Sequence, residues 1–90
     1  MKIHESAFSR LIEIEREAQD AKWGEQKHSD EKWLAILLEE LGEAAEAVLE
    51  KNEEGLLEEV VQVAAVLQNW VTSRDWYDDS SRFLDPNPKR

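Results

Sequence analysis

Residues 56–71 read Leu-Leu-Glu-Glu-Val-Val-Gln-Val-Ala-Ala-Val-Leu-Gln-Asn-Trp-Val. No glycine or proline interrupts the run, and its apolar residues fall on nearly every side of a 3.6-residue period. The only polar sector is narrow, formed by Glu58, Gln62 and Asn69. A helix apolar almost all round belongs at the centre of an assembly. Glu59 projects among Val63, Val66 and Trp70, so a carboxylate is aimed into surface that otherwise favours burial. Burying an unpaired carboxylate costs several kcal/mol, so Glu59 must be neutralised, hydrogen-bonded or coordinated to a metal, unless it stays wet near the helix start.

Upstream of this helix lie two more. Phe8, Leu11, Ile12, Ala18 and Ala21 recur at three- and four-residue steps and predict a helix over about 4–21. The pattern lapses from Lys22 to His28. Ser29 followed by Asp30 and Glu31 then reads as an N-cap with acids in the first turn, where the helix dipole favours them. The second helix carries Leu34, Leu37, Leu38, Leu41, Ala45 and Val48 on one stripe and ends at the polar Lys51-Asn52 turn. The third starts near 53 and runs through Leu56 to Trp70, with a continuation past Arg74 left open. Both prolines, Pro86 and Pro88, fall at the end of the chain, and residues 81–90 read as a tail behind a single domain over 1–80. The fold class is all-α: an antiparallel helical hairpin plus an N-terminal helix. Three short helices cannot cover the third helix, so four-helix packing is expected to come from two chains, in a homodimer or homotetramer.

Composition narrows the function. Against 21 Asp and Glu stand 11 Lys and Arg among 90 residues, a formal charge of -10 that argues against a nucleic-acid partner. The absence of cysteine excludes disulfides, thiolate zinc sites and thiol nucleophiles, and suits a cytoplasmic protein. No apolar run approaches the roughly 18 residues of a membrane span. His4 and His28 stand singly in a terminus and a loop and read as surface residues.

The chemistry concentrates in an acidic echo: Glu39-Glu40-Leu-Gly-Glu43 on the second helix, Glu58-Glu59-Val-Val-Gln62 on the third. Residues three apart share a helix face, so Glu40 with Glu43, and Glu59 with Gln62 opposite, can converge on one cation. Such an oxygen-only cage suits Mg²⁺, or Mn²⁺, rather than zinc or copper. Glu39, Glu43, Glu46 and Glu50 also form one stripe opposite the leucines, which taken alone is a solvated face; Glu40 sits on the flank that holds Trp33, Ile36, Ala44 and Ala47. Trp23 and Trp33 are placed to line a pocket mouth or to fill the core. Trp70 reads as core, and Trp76 as packing a helix end or a subunit contact. Asn69 is a candidate to read a base or ribose edge, and Lys22, Lys27, Lys51 and Arg74 are candidate phosphate partners.

These segments, together with Lys22-Trp23-Gly24 through His28 and Trp33-Leu34, resemble the MazG-like nucleoside triphosphate pyrophosphohydrolases over about residues 15–72. The resemblance implies an all-α oligomer that uses Mg²⁺ to cleave NTPs or dNTPs to the monophosphate and pyrophosphate, in a nucleotide house-cleaning role. It implies metal binding by Glu40, Glu43, Glu58, Glu59 and position 62, and water activation by Glu40 or Glu39. The family pattern Glu-Glu-x-x-Glu is intact; in Glu-Glu-x-x-Asp the Asp position is Gln62 here. A neutral oxygen replaces a charged one, so the cage holds Mg²⁺ less firmly. The alternative is a catalytically weakened or inactive helical oligomer that binds nucleotide or a protein partner; an acidic module that covers a basic surface is a third reading.

Overall fold

In a computed structural model that describes residues 1–76, the chain forms three helices: α1 (Glu5–Trp23), α2 (Asp30–Leu49) and α3 (Glu53–Thr72). No strand occurs among the described residues, and none of their helices is long and apolar enough to cross a membrane. The expected tail, 81–90, and the last four positions of the expected domain lie outside the described residues. α1 and α2 each pack against α3 and not against each other, so α3 is central, as its all-round apolarity requires.

Local chemistry sets the ends. Each helix opens on a side chain that accepts from an otherwise orphaned backbone N–H: His4 from Ser6, Ser29 from Lys32 and Asn52 from Gly55. α1 runs two residues beyond the expected end, because only Gly24, at φ 75°, takes the chain out of the helix. Trp23 is therefore the last residue of α1, not a loop residue. α3 stops at Thr72 rather than continuing past Arg74. There the hydroxyls of Thr72 and Ser73 donate to the carbonyls of Gln68 and Trp70, at 2.9 and 3.1 Å, and compete with the backbone for those acceptors. The hairpin is strapped at its open end by Asp30, which accepts from Trp70 Nε1 at 2.9 Å and pairs with Arg74 at 2.8 Å. The Trp70 hydrogen bond, followed by the Arg74 charge, lowers the Asp30 pKa. Trp70 is thus half-buried with a polar anchor. Trp76 closes the end of α3, donating to the Val71 carbonyl at 2.7 Å beneath the Arg74 guanidinium.

The packing seam of α2 is not its leucine stripe. Trp33, Ile36, Glu40, Ala44 and Ala47 lie toward the hairpin seam, with Trp33 only 2 % exposed. Leu34, Leu38, Leu41 and Val48 are exposed. α2 carries two apolar stripes. The one with alanines allows the close approach of α3 and is used, while the bulkier one is left uncovered by the described residues. The apolar core of the described residues is small: Trp33, Ala47, Val61, Ala65 and Val66.

Candidate metal centre and adjoining cleft

Glu40 and Glu43, one turn apart on α2, meet Glu59 of α3 at the hairpin seam. One oxygen from each carboxylate lies within 4.8 Å of the others. Glu40 and Glu59 are half-buried and Glu43 is exposed. Among the described residues, the Oε2 atoms of Glu40 and Glu59 are buried and accept no hydrogen bond, and the ion pairs, Arg10–Glu13 and Arg74–Asp30, lie elsewhere. Burial, then the charge of Glu43, then a hydrogen bond with Glu59 push the Glu40 pKa up to about 7. Burial and a hydrogen bond with Glu43 raise that of Glu59. Without a cation, this cluster holds protons that isolated carboxylates would release at neutral pH.

The donor set fits a hard divalent cation. All three groups offer carboxylate oxygen, and oxygens cis and trans on an octahedral Mg²⁺ shell lie about 3 and about 4.2 Å apart. A modest contraction of the cluster brings all of them to one ion. That ion would satisfy both orphaned oxygens and offset the burial and the carboxylate repulsion that raise the two pKa values.

The other expected site residues are dispersed. Glu39 is exposed beside the cluster. Glu58 and Gln62 lie on the α1 side of α3, lining a cleft of about 420 Å³ with Leu11, Ile14, Glu15 and Ala18. Glu59 shares a groove with Glu43, Glu46 and Glu50. Lys51 stands exposed at the α2–α3 turn with φ 56°. Lys22 rests 4.8 Å over the Trp23 ring, and Lys27 is exposed in the α1–α2 loop. Arg74, engaged by Asp30, is not free for phosphate.

A second cleft, of about 500 Å³, adjoins the cluster through Glu40 and brings Trp23, Trp33 and Asn69 together. Its floor is Val66 and Asn69 of α3, and its walls come from α1 and α2. Trp33 lines it while remaining buried, so the core and pocket readings of this residue both hold. Sequence reasoning missed Gln19, Gln26, His28 and Lys32, which also line it. Gln19 had a signal, four residues before Trp23 on the same face of α1. Gln26 and His28 sit in a loop without period. His28 is not a free surface residue: it is half-buried, with its ring edge against Trp33 at 4.8 Å between centroids.

No protein-family model, curated protein or solved structure matches the chain. Its functional reading rests on these side chains.

Proposed function

We propose that this protein is a cytoplasmic, Mg²⁺-dependent nucleoside triphosphate pyrophosphohydrolase of the MazG-like type, working as a homo-oligomer and active also with Mn²⁺. It converts NTPs or dNTPs to the monophosphate and pyrophosphate. The observation that carries this reading is the Glu40/Glu43/Glu59 cluster, with two buried carboxylate oxygens that none of the described residues satisfies, opening beside an aromatic cleft large enough for a base.

Roles follow from position. Glu40, Glu43 and Glu59 hold the metal, which when bound neutralises phosphate charge and polarises the attacking water. Glu39, adjacent in sequence and outside the cluster, or Glu40 itself, takes the proton from that water. Trp23 offers an exposed ring face to the base, Trp33 backs the cleft as a buried wall, and Asn69 offers a polar group to the base's rim. Lys22 and Lys51 are exposed cations available to the phosphates.

The second reading, a nucleotide-binding oligomer without turnover, draws on Glu58 and Gln62, which lie on the α1 side of α3 and leave three carboxylates in the cluster. Pyrophosphate release from the eight common NTPs and dNTPs, with Mg²⁺ and then Mn²⁺, separates the two. Turnover that is lost in Glu59→Gln supports the hydrolase. Nucleotide binding without any release supports the binding protein.

A further inference from the structure

The hydrogen-bond directions around the aromatic cleft deepen the proposed function, on which this inference rests. Arg16 of α1 reaches α3 with Nη1 donating to Gln68 Oε1 at 3.0 Å and to Thr72 Oγ1 at 3.5 Å, and Nη2 donating to Asn69 Oδ1 at 3.5 Å. A guanidinium has donors and no acceptor, so the Asn69 atom that faces it must be the oxygen. The Asn69 side chain, on a residue 7 % exposed, therefore leaves its amide Nδ2 for the cleft that it lines. Gln26 takes the same sense when His28 carries its proton on Nε2. Its Oε1 lies 3.0 Å from His28 Nε2, and an amide oxygen only accepts, so the imidazole donates and the Gln26 amide nitrogen is left over. Trp33, 2 % exposed, has a buried indole Nε1 with no partner among the described residues.

Donors thus dominate this end of the cleft: Asn69 Nδ2, Gln26 Nε2, Trp33 Nε1 and the Lys32 ammonium. The acceptors that line the cleft are Gln19, whose Nε2 donates to Glu15 at 2.8 Å and leaves its oxygen, and Glu40, which belongs to the proposed metal centre. A buried donor without a partner bears an unrecovered desolvation cost, and a ligand that presents acceptors recovers it. The bases differ at the edge remote from the sugar: uracil, thymine and guanine carry an oxo group there, cytosine and adenine an amino group. An amino group set against these donors leaves both sides unmatched. We infer that the cleft selects oxo-bearing bases over amino-bearing ones, with Asn69 reading the base and Arg16 acting as the positioning residue that fixes the Asn69 amide.

The test is calorimetric binding of the non-hydrolysable α,β-methylene analogues of UTP, CTP, GTP and ATP, in Mg²⁺, to the full chain. The UTP and GTP analogues are expected to bind about tenfold more tightly than the CTP and ATP analogues. Asn69→Asp, which presents only acceptors at neutral pH, should reverse the preference. Arg16→Met should bring the ratio close to one, and Arg16→Lys, which keeps a donor, should restore part of it. The ratio within one protein does not depend on how much of a variant is folded, so a loss of stability does not imitate the effect. Equal affinity for all four analogues overturns the selectivity and leaves the nucleotide reading standing. Binding of none overturns both. An unchanged ratio in Arg16→Met removes Arg16 from the argument, and should Arg16→Met not fold, Asn69→Asp decides alone.

Discussion

Glu40 of α2 and Glu59 of α3 meet across the hairpin seam, and each keeps one buried carboxylate oxygen that accepts no hydrogen bond. Two acids in contact, with Glu43 beside them, are an unfavourable arrangement for a purely structural seam, since apolar residues of the same volume would pack there at no electrostatic cost. The cluster weakens the metal-free fold and is relieved by protons or by a cation, and each form of relief has a measurable signature.

The first signature is pH dependence. The Glu40 pKa rises from 4.5 to about 7 on folding, so between those values the native state binds more protons than the unfolded one. Stability is then fully present below about pH 4.5 and is lost as pH rises through 7. Thermal melts in EDTA should show the wild type losing roughly 1 kcal/mol across this window, once solvent screening of a half-buried group is allowed for. Glu40→Gln should lose less, being more stable than wild type at pH 7.5. A variant that declines in parallel with the wild type would place the pH sensitivity elsewhere.

The second signature is metal. A cation that binds only the native state stabilises it by about 1.4 kcal/mol at ten times its Kd. At pH 7.5, Mg²⁺ or Mn²⁺ should raise the melting temperature of the wild type and should flatten its pH dependence. Glu59→Gln should abolish the shift, while Glu58→Gln, on the α1 side of α3, should keep it. Equal loss in both variants would return Glu58 to the metal shell.

How far these features were legible in the sequence depends on how unambiguous each pattern is. The helices were plain because no proline and few glycines interrupt the apolar period, and Ser29 caps α2 where its Asp-Glu sequel indicated. The cluster was legible from the i, i+3 spacing of Glu40 and Glu43 and from Glu59 lying among valines. The sides of α3 were not: a helix apolar all round does not announce which side meets α1, so the cleft that Glu58 and Gln62 line with α1 was not legible. On α2, bulk was misleading, because the alanines of the Trp33/Ala44/Ala47 stripe permit closer approach than the leucines do. His28 and Gln26 join the cleft through a loop whose path no periodicity encodes.

The α2–α3 turn supplies a third test. Lys51 holds φ at 56°, where a Cβ is strained and glycine is not. Its side chain is exposed, so Lys51→Gly should stabilise the chain by about 0.5–1 kcal/mol, read as a higher urea midpoint with an unchanged m-value. Gly55→Ala should act in the opposite direction. A Cβ at Gly55 would strike the Asn52 side chain, which accepts from Gly55 N and caps α3. A Lys51→Gly midpoint at or below the wild-type value would mean that the turn relaxes the strain by other means.

The exposed apolar face gives the fourth. Leu34, Leu38, Leu41, Ala45 and Val48 succeed one another at three- and four-residue steps on α2, as do Leu57, Val60, Ala64, Leu67 and Val71 on α3. At about 100° per residue, each stripe lies roughly 110° round from the seam of its own helix, and in the same rotational sense. In an antiparallel hairpin, equal turns in the same sense bring both stripes to one side. The acidic stripe of α2 and the α1-facing side of α3 fall on the other. A second copy laid on this face completes a four-helix bundle and leaves the Glu40/Glu43/Glu59 centre open on the far side. Light scattering at micromolar concentration should therefore give twice the chain mass or a multiple of it. Leu38→Lys combined with Leu67→Lys should give a less stable monomer, because both leucines, 59 % and 42 % exposed in the single chain, would place charge within the bundle. A monomeric wild type would leave this face to a different partner, and a doubly substituted dimer would move the contact elsewhere on the molecule.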